Sequence, residues 1–406
     1  MKLNMLCGAA FAALVLAPDS ATADVEGSLR ASAWSGSRAA TSGETAIINL
    51  EAWGRSEWRL ADNLDLHIEG WAALDPIADG SADADVRDAY LSWRHGPLRI
   101  NVGRQIFAWG RADRLNPTDV LGARDYRRLV EDEADTRLGL ASITGRLELA
   151  GGELSLVWAP EFRATELPQT FAGPDLRVVR ESPDATTRQF AVRYERFGRS
   201  IDWSTSYAEI YDTAPWLSLS VEPGAAPTLT LFHPRFRMLG ADAATTWVSF
   251  GVRAEAALYD YDVDALRGSA TRVPTFAAAI GVDRDFSNST NVNVQLIVHG
   301  ARAASAPSAS QAIALRNDVI QYAWRDTVVG GLLRVRRTFA QDRGSFELSA
   351  AAFGGGGEYQ QARLGYVLTD GVRLIAMGER FGGDPSSLFG KLEDNTLITL
   401  GVRLGF

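Results

Sequence analysis

A two-residue alternation of apolar and polar side chains runs from about Asp24 to the last residue, and it constrains the fold more than any other feature of the chain. In residues 397–406, Ile398, Leu400, Val402, Leu404 and Phe406 share one parity, and Thr399, Gly401, Arg403 and Gly405 share the other. Val248, Phe250, Val252, Ala254, Ala256 and Leu258 oppose Ser249, Gly251, Arg253, Glu255 and Tyr259. Val292, Val294, Leu296 and Val298 oppose Asn293, Gln295 and His299, and Leu64, Leu66 and Ile68 oppose Asp65, His67 and Glu69. Successive side chains of a strand point to opposite faces, so each segment is a strand with one apolar and one polar face. A β-sandwich alternates too, but a single one holds roughly 100–200 residues. Here the pattern fills about 380 of the 406 residues.

The start of the chain adds a second constraint. Lys2, an apolar run from about Met5 to Leu16 and the small-x-small site Ala21-Thr22-Ala23 describe a secretory signal peptide cut after Ala23. The expected organisation is therefore a signal peptide over 1–23 and one β-barrel over 24–406. No later segment offers the roughly 18 consecutive apolar residues of a membrane helix. An exported chain of alternating strands is reconciled with lipid by a closed barrel, which leaves no backbone group unpaired. Cys7 is the single cysteine and leaves with the signal, so neither a disulfide nor a thiolate metal site is expected.

Tight polar turns alternate with longer loops along the chain, as in bacterial outer-membrane barrels. Turns are expected at 61–63, 95–97, 150–152, 197–199, 243–246, 287–289, 341–344 and 369–371. The expected fold is all-β, a transmembrane antiparallel barrel of about 18 strands with one long constricting loop. Sixteen strands is the alternative, because Pro215, Pro223, Pro227 and Pro234 interrupt the stretch 213–247. Trp34, Trp53, Trp58, Trp71, Trp93, Trp109, Trp158, Trp203 and Trp247 are expected to form girdles at the two membrane interfaces.

The densest polar stretch follows the strand expected over Leu98–Gly110. The connection 111–134 carries blocks of both signs and the apolar anchors Leu115, Val120, Leu121, Tyr126, Leu129 and Val130. Asn116-Pro117 marks a turn, and Thr118 and Asp119 are expected to cap a short helix through Arg128. A loop this long is functional or disordered, and its anchors favour an ordered loop folded into the barrel. Candidate constriction residues are Arg104, Gln105, Trp109, Arg111, Asp113, Arg114, Asn116, Asp119, Arg124, Asp125, Arg127 and Arg128. Arg104 falls on the lipid parity, so a bulge is expected to turn it inward.

Two resemblances bear on these residues. The alternating last strand ending on Phe406 resembles the closing-strand signal of Gram-negative outer-membrane barrels, which implies recognition by the barrel-assembly machinery. Gly103-Arg104-Gln105, Trp109-Gly110-Arg111 and Asn116-Pro117-Thr118-Asp119 resemble motifs of uncharacterised proteobacterial outer-membrane porins. These are loosely similar to the alginate-export group. The resemblance covers about forty residues and implies a barrel in the cell outer membrane without naming a substrate.

On the polar parity lie Arg253, Glu255, Arg334, Arg336, Arg363, Arg373 and Arg403, among acidic residues of similar number, which reads as a mixed-charge lumen. The net charge of −9 argues against a nucleic-acid partner. With only 4 histidines and neither a G-x-S-x-G motif nor a zinc spacing, no enzyme, cofactor or metal site is expected. The reading is a porin-like channel for passive passage of hydrophilic solutes, narrowed or gated by loop 111–134, with outer-membrane lipid around it. The alternatives are a dedicated exporter or importer of a polysaccharide or lipid-like molecule, working with a periplasmic transport partner, and, third, a barrel enzyme.

Overall fold

The computed structural model describes residues 23–36, 46–74, 82–167, 177–183, 188–304, 311–385 and 387–406. The signal peptide expected over 1–23 therefore lies, except for Ala23, outside the described residues. Eighteen strands form one sheet in which each pairs antiparallel with its neighbours in the chain. The ring closes where the first strand, Ala23–Gly36, meets the last, Leu397–Gly405, in register from Ser28↔Gly405 to Gly36↔Leu397. The architecture is a transmembrane β-barrel of eighteen strands rather than sixteen. No described helix is long and apolar enough to cross a membrane.

The parity read from the sequence separates the two faces. Ile398 and Leu400 are 64% and 62% exposed on the outside, whereas Thr399 and Gly401, which alternate with them, are buried. Glu255, Asn293 and Gln295 are buried on the inner face. This inversion of a soluble protein follows from lipid being the outer solvent. Trp158, Trp203 and Trp247 lie exposed on the outer face, as a girdle requires. Trp34, Trp53, Trp71 and Trp109 do not belong to it; they are buried. Their parity, shared with Ser32, Glu51 and Glu69, places the first three inside.

Tight turns gather at one end of the barrel, at 62–63, 96–97, 150–151, 197–200, 248–249, 287–289, 340–343 and 370–371. One expected turn is displaced: strand Arg235–Trp247 runs through 243–246 and reverses at Val248, whose φ is +60°. The longer connections occupy the other end. Three short strands there, Arg177–Arg180, Trp216–Ser220 and Thr228–Phe232, make a separate sheet. The prolines at 215, 223, 227 and 234 bound these short strands. Helix Gln311–Ile320 joins the sheet through Asn317, whose side-chain oxygen accepts from the Leu217 amide and whose nitrogen donates to the Leu217 carbonyl, both at 2.8 Å. Loops distant in sequence thus form one outer cap.

Candidate functional site: a segment tied across the lumen

The strand expected to reach Gly110 ends at Gln105, and the next begins at Leu140, so the connection is 106–139. Among its described residues no α-helix follows Thr118; the one helical turn is a 3-10 turn, Glu133–Thr136, capped by Asp132. Two isolated bridges, Arg124↔Arg137 and Asp125↔Glu166, replace the expected helix. The side chain of Asp119 explains why: it accepts from the Trp109 amide at 3.1 Å and pairs with Arg137 at 2.6 Å, so it knots the loop instead of capping a helix.

The segment is fastened to several walls. On the first, Glu255 of strand Phe250–Tyr261 accepts the amides of Arg111 at 2.9 Å, Ala112 at 3.0 Å and Thr118 at 2.7 Å, and the Thr118 hydroxyl at 2.8 Å. Arg111 then donates to Asp242 at 2.7 Å and pairs with Glu195. Gly110 makes the approach possible. Its φ is +94°, and a Cβ there would lie 2.5 Å from a Glu255 oxygen.

A second wall holds Asp113 and Arg114. The Asp113 amide donates to Gln295 at 2.7 Å, and its carboxylate pairs with Arg334 at 3.0 Å. Arg114 donates to Ser349 at 3.0 Å and Gln361 at 3.1 Å, with Glu347 at 3.6 Å. Burial lowers the Arg114 pKa, but Glu133, Tyr359 and Glu347 outweigh it and leave it above its ordinary value.

The third wall is aromatic. The Arg128 guanidinium sits 3.4 Å from the Trp71 ring centroid and pairs with Glu51 at 3.1 Å. Burial pulls its pKa down, against the pull of Glu51 upward. Arg30 covers Trp53 at 4.3 Å and pairs with Asp135 at 2.6 Å, while Arg87 pairs with Glu69 at 2.5 Å and donates to the Ala134 carbonyl at 2.7 Å. Glu51 lies on the second strand of the ring and Glu255 on the eleventh, nine strands apart out of eighteen. The segment therefore reaches diametrically opposite walls. On the Glu255 side, Phe107, Trp109 and Leu121 pack into an apolar cluster with Val157, Ile210 and Met238.

The remaining expected residues take supporting places. Gln105 donates to the Ser142 hydroxyl at 2.8 Å within the wall. Asn116 donates to the Trp109 carbonyl at 3.3 Å, and Arg124 reaches Glu133 at 3.3 Å. Arg127 holds Asp125 through two bonds at 2.9 and 2.8 Å, and that hydrogen bonding raises its pKa. Arg104 differs from expectation. Its own pairing, with Ala89 and Ala141, is regular. The register shift lies on the neighbouring strand, where Arg87 is left unopposed between Asp88 and Val86. Arg104 is instead held by Glu161 at 3.0 Å and Asp85 at 3.6 Å. Sequence reasoning set Glu51, Glu255 and Gln295 on the polar parity with no more weight than their neighbours, and passed over Asp242. All four have polar inward parity, but parity alone does not say which inward residue meets the loop.

The lumen arginines are of two kinds. Arg253 and Arg334 have carboxylate partners, Asp283 and Asp113, both at 3.0 Å. Among the described residues no ion pair joins Arg336, Arg363, Arg373 or Arg403, although Arg373 donates to the Ser345 hydroxyl at 3.2 Å. The even balance of charge read from the sequence hides this segregation.

The fold is shared with outer-membrane porins. OccAB3 of Acinetobacter baumannii superposes with a TM-score of 0.58 at 10% identity, covering 95% of this chain and 100% of that one. OpdK of Pseudomonas aeruginosa, solved with vanillate, gives 0.56 at 12% identity over 95% and 98% of the two chains. OccK11 of the same organism gives 0.53 at 12% identity over 95% and 96%. At such identities the likeness is one of fold. No protein-family model matches the sequence, and no curated protein matches it.

Proposed function

We propose that this barrel is a passive outer-membrane channel for small hydrophilic solutes, and that segment 106–139 sets its width. The observation that carries the reading is the bracing of that segment by Glu255, Gln295 and Glu51 from inside the wall. A diffusion channel needs a polar lumen to exclude lipid and a fixed constriction to sort solutes by size and charge. Buried charge pairs on both sides give the segment a definite position instead of the spread of a loose loop. The fold likeness to porins supports the same reading, and OpdK shows that such a barrel can be solved with a small aromatic acid.

Reconstitution into planar bilayers is the test. The folded barrel gives discrete conductance steps, and deletion of residues 112–130 raises the step size and loosens size selection in liposome swelling. A silent bilayer with correctly folded protein overturns the channel reading. Unchanged conductance after the deletion overturns the role of the segment.

A further inference from the structure

Five arginines of the inner wall are crowded at the tight-turn end. Arg403 is the direct cross-strand partner of both Arg30 and Arg373, which places three like charges side by side on adjacent strands. Such an arrangement is unfavourable by itself. Arg363 and Arg336 extend the patch, with Glu347 as their common cross-strand neighbour. That carboxylate does not serve them: Arg114 lies 3.6 Å from it and Ser349 donates to it at 3.4 Å. Arg30 alone of the five has an ion-pair partner among the described residues, Asp135 at 2.6 Å.

Two features show that the patch is built. Gly365 leaves space for a guanidinium, since a Cβ there would stand 2.8 Å from Arg373 Nη2. From the other side, Glu131 of the crossing segment is pressed against Gly401, with 8% of the residue exposed and its Oε1 without a hydrogen-bond partner. It faces Arg30, Arg363 and Arg403 without an ion pair to any of them. A buried carboxylate held near several arginines but bound to none occupies the neighbourhood in which an anion would settle.

We infer that Arg363, Arg373 and Arg403, with Arg336 beside them, form a station for small multiply charged anions, and that Glu131 is its tethered competitor. The ligand class is a di- or trianion, a polycarboxylate or a phosphate, because several uncompensated guanidiniums converge on one place and each donates to carboxylate or phosphate oxygens. In naming the solute, this rests on the channel reading. An incoming anion displaces Glu131, or finds the station vacated when Glu131 takes a proton.

Burial raises the Glu131 pKa, and Arg30, Arg363 and Arg403 oppose that rise while Glu51 adds to it. Asp132 and Asp135 of the same segment and Arg373 of the wall are the other charged groups nearby. The competitor therefore loses its charge at a pH above the ordinary glutamate range. Sulfate is the suitable probe, because it keeps both charges throughout that range.

Calorimetric titration of the folded barrel in detergent with sulfate tests the station without requiring conduction. Wild type binds. Glu131→Gln binds about five- to tenfold tighter, the size of a modest coupling between competing groups. Arg373→Gln with Arg403→Gln loses binding, whereas Arg373→Lys with Arg403→Lys, which keeps the charge, retains part of it and controls for folding. Wild-type affinity rises as pH falls, and that of Glu131→Gln stays flat. Equal affinity in wild type and the double glutamine variant, or in wild type and Glu131→Gln, overturns the inference. A silent bilayer overturns the channel reading, and the titration still decides the station. Comparing citrate with inorganic phosphate at neutral pH assigns the source: the tighter ligand is the class served.

Discussion

Glu255 takes both the backbone amide of Thr118, at 2.7 Å, and its hydroxyl, at 2.8 Å, although the two residues are 137 positions apart in the chain. This carboxylate is one of the points where the crossing segment is anchored to the wall. Replacing it leaves the amides of Arg111, Ala112 and Thr118 without an acceptor, each costing about 1–3 kcal/mol where buried. Glu255→Ala should lower stability by roughly 3 kcal/mol and broaden single-channel current fluctuations as the segment loosens. An unchanged current trace would show that the anchor does not hold the segment. Gly110→Ala should act in the same direction, because φ +94° and the nearby carboxylate both oppose a side chain.

Arg128 should not be replaceable by lysine. Its plane stacks 3.4 Å from the Trp71 centroid while pairing with Glu51 at 3.1 Å, and a lysine ammonium cannot do both. Breaking a buried pair costs about 3–5 kcal/mol by leaving one charge uncompensated. Arg128→Ala should expose 124–137 to protease in an otherwise intact barrel; Arg128→Lys should rescue it only in part. Limited proteolysis with mass spectrometry reads both.

The outer cap should weaken as pH rises. Burial pushes Asp212 up from 3.8 to about 6, against hydrogen bonds from Trp216, Tyr261 and the Ala214 amide. Its folded value exceeds the unfolded one, so the folded cap binds the proton more tightly. Stability from this group is complete below about pH 4 and is lost as pH climbs through about 6, by at most about 3 kcal/mol. Hydrogen exchange of 216–220 followed against pH checks this; Asp212→Asn should flatten the profile. Faster exchange at low pH in wild type would reverse the sign.

Phe406 should matter more in cells than in detergent. Its amide and carbonyl both bond to Gly27 at 2.9 Å, which closes the ring beyond the last strand's own ladder. The proposed role in assembly predicts that Phe406→Ala lowers the folded fraction in membranes while refolding in detergent stays near wild type. Heat-modifiable mobility on gels measures both. An equal loss in the two settings would assign Phe406 to stability instead.

Much of the architecture was legible because lipid imposes one rule on every strand. The parity of Ile398, Leu400 and Val402 needed no tertiary information, and the turns at 62–63 and 96–97 carry their own backbone chemistry. The segment 106–139 was harder, because its path depends on partners more than a hundred residues away. Thr118 and Asp119 look like a helix start in isolation; Glu255 and Arg137 claim their side chains first. Trp53 and Trp71 looked like membrane girdle residues, yet they receive guanidiniums from Arg30 and Arg128. The sheet formed by 177–180, 216–220 and 228–232 could not be read locally, since two of its strands pair in parallel across a long separation.

The ties to Glu51 and Glu255 also have a mechanical consequence. A thin-walled tube ovalises readily under lateral load, because nothing opposes the approach of facing sides. A strut pinned at both ends of a diameter makes the cross-section resist that flattening. Bilayer tension would then reach segment 106–139 as force along the strut, and the bore would hold its shape as the surrounding lipid changes.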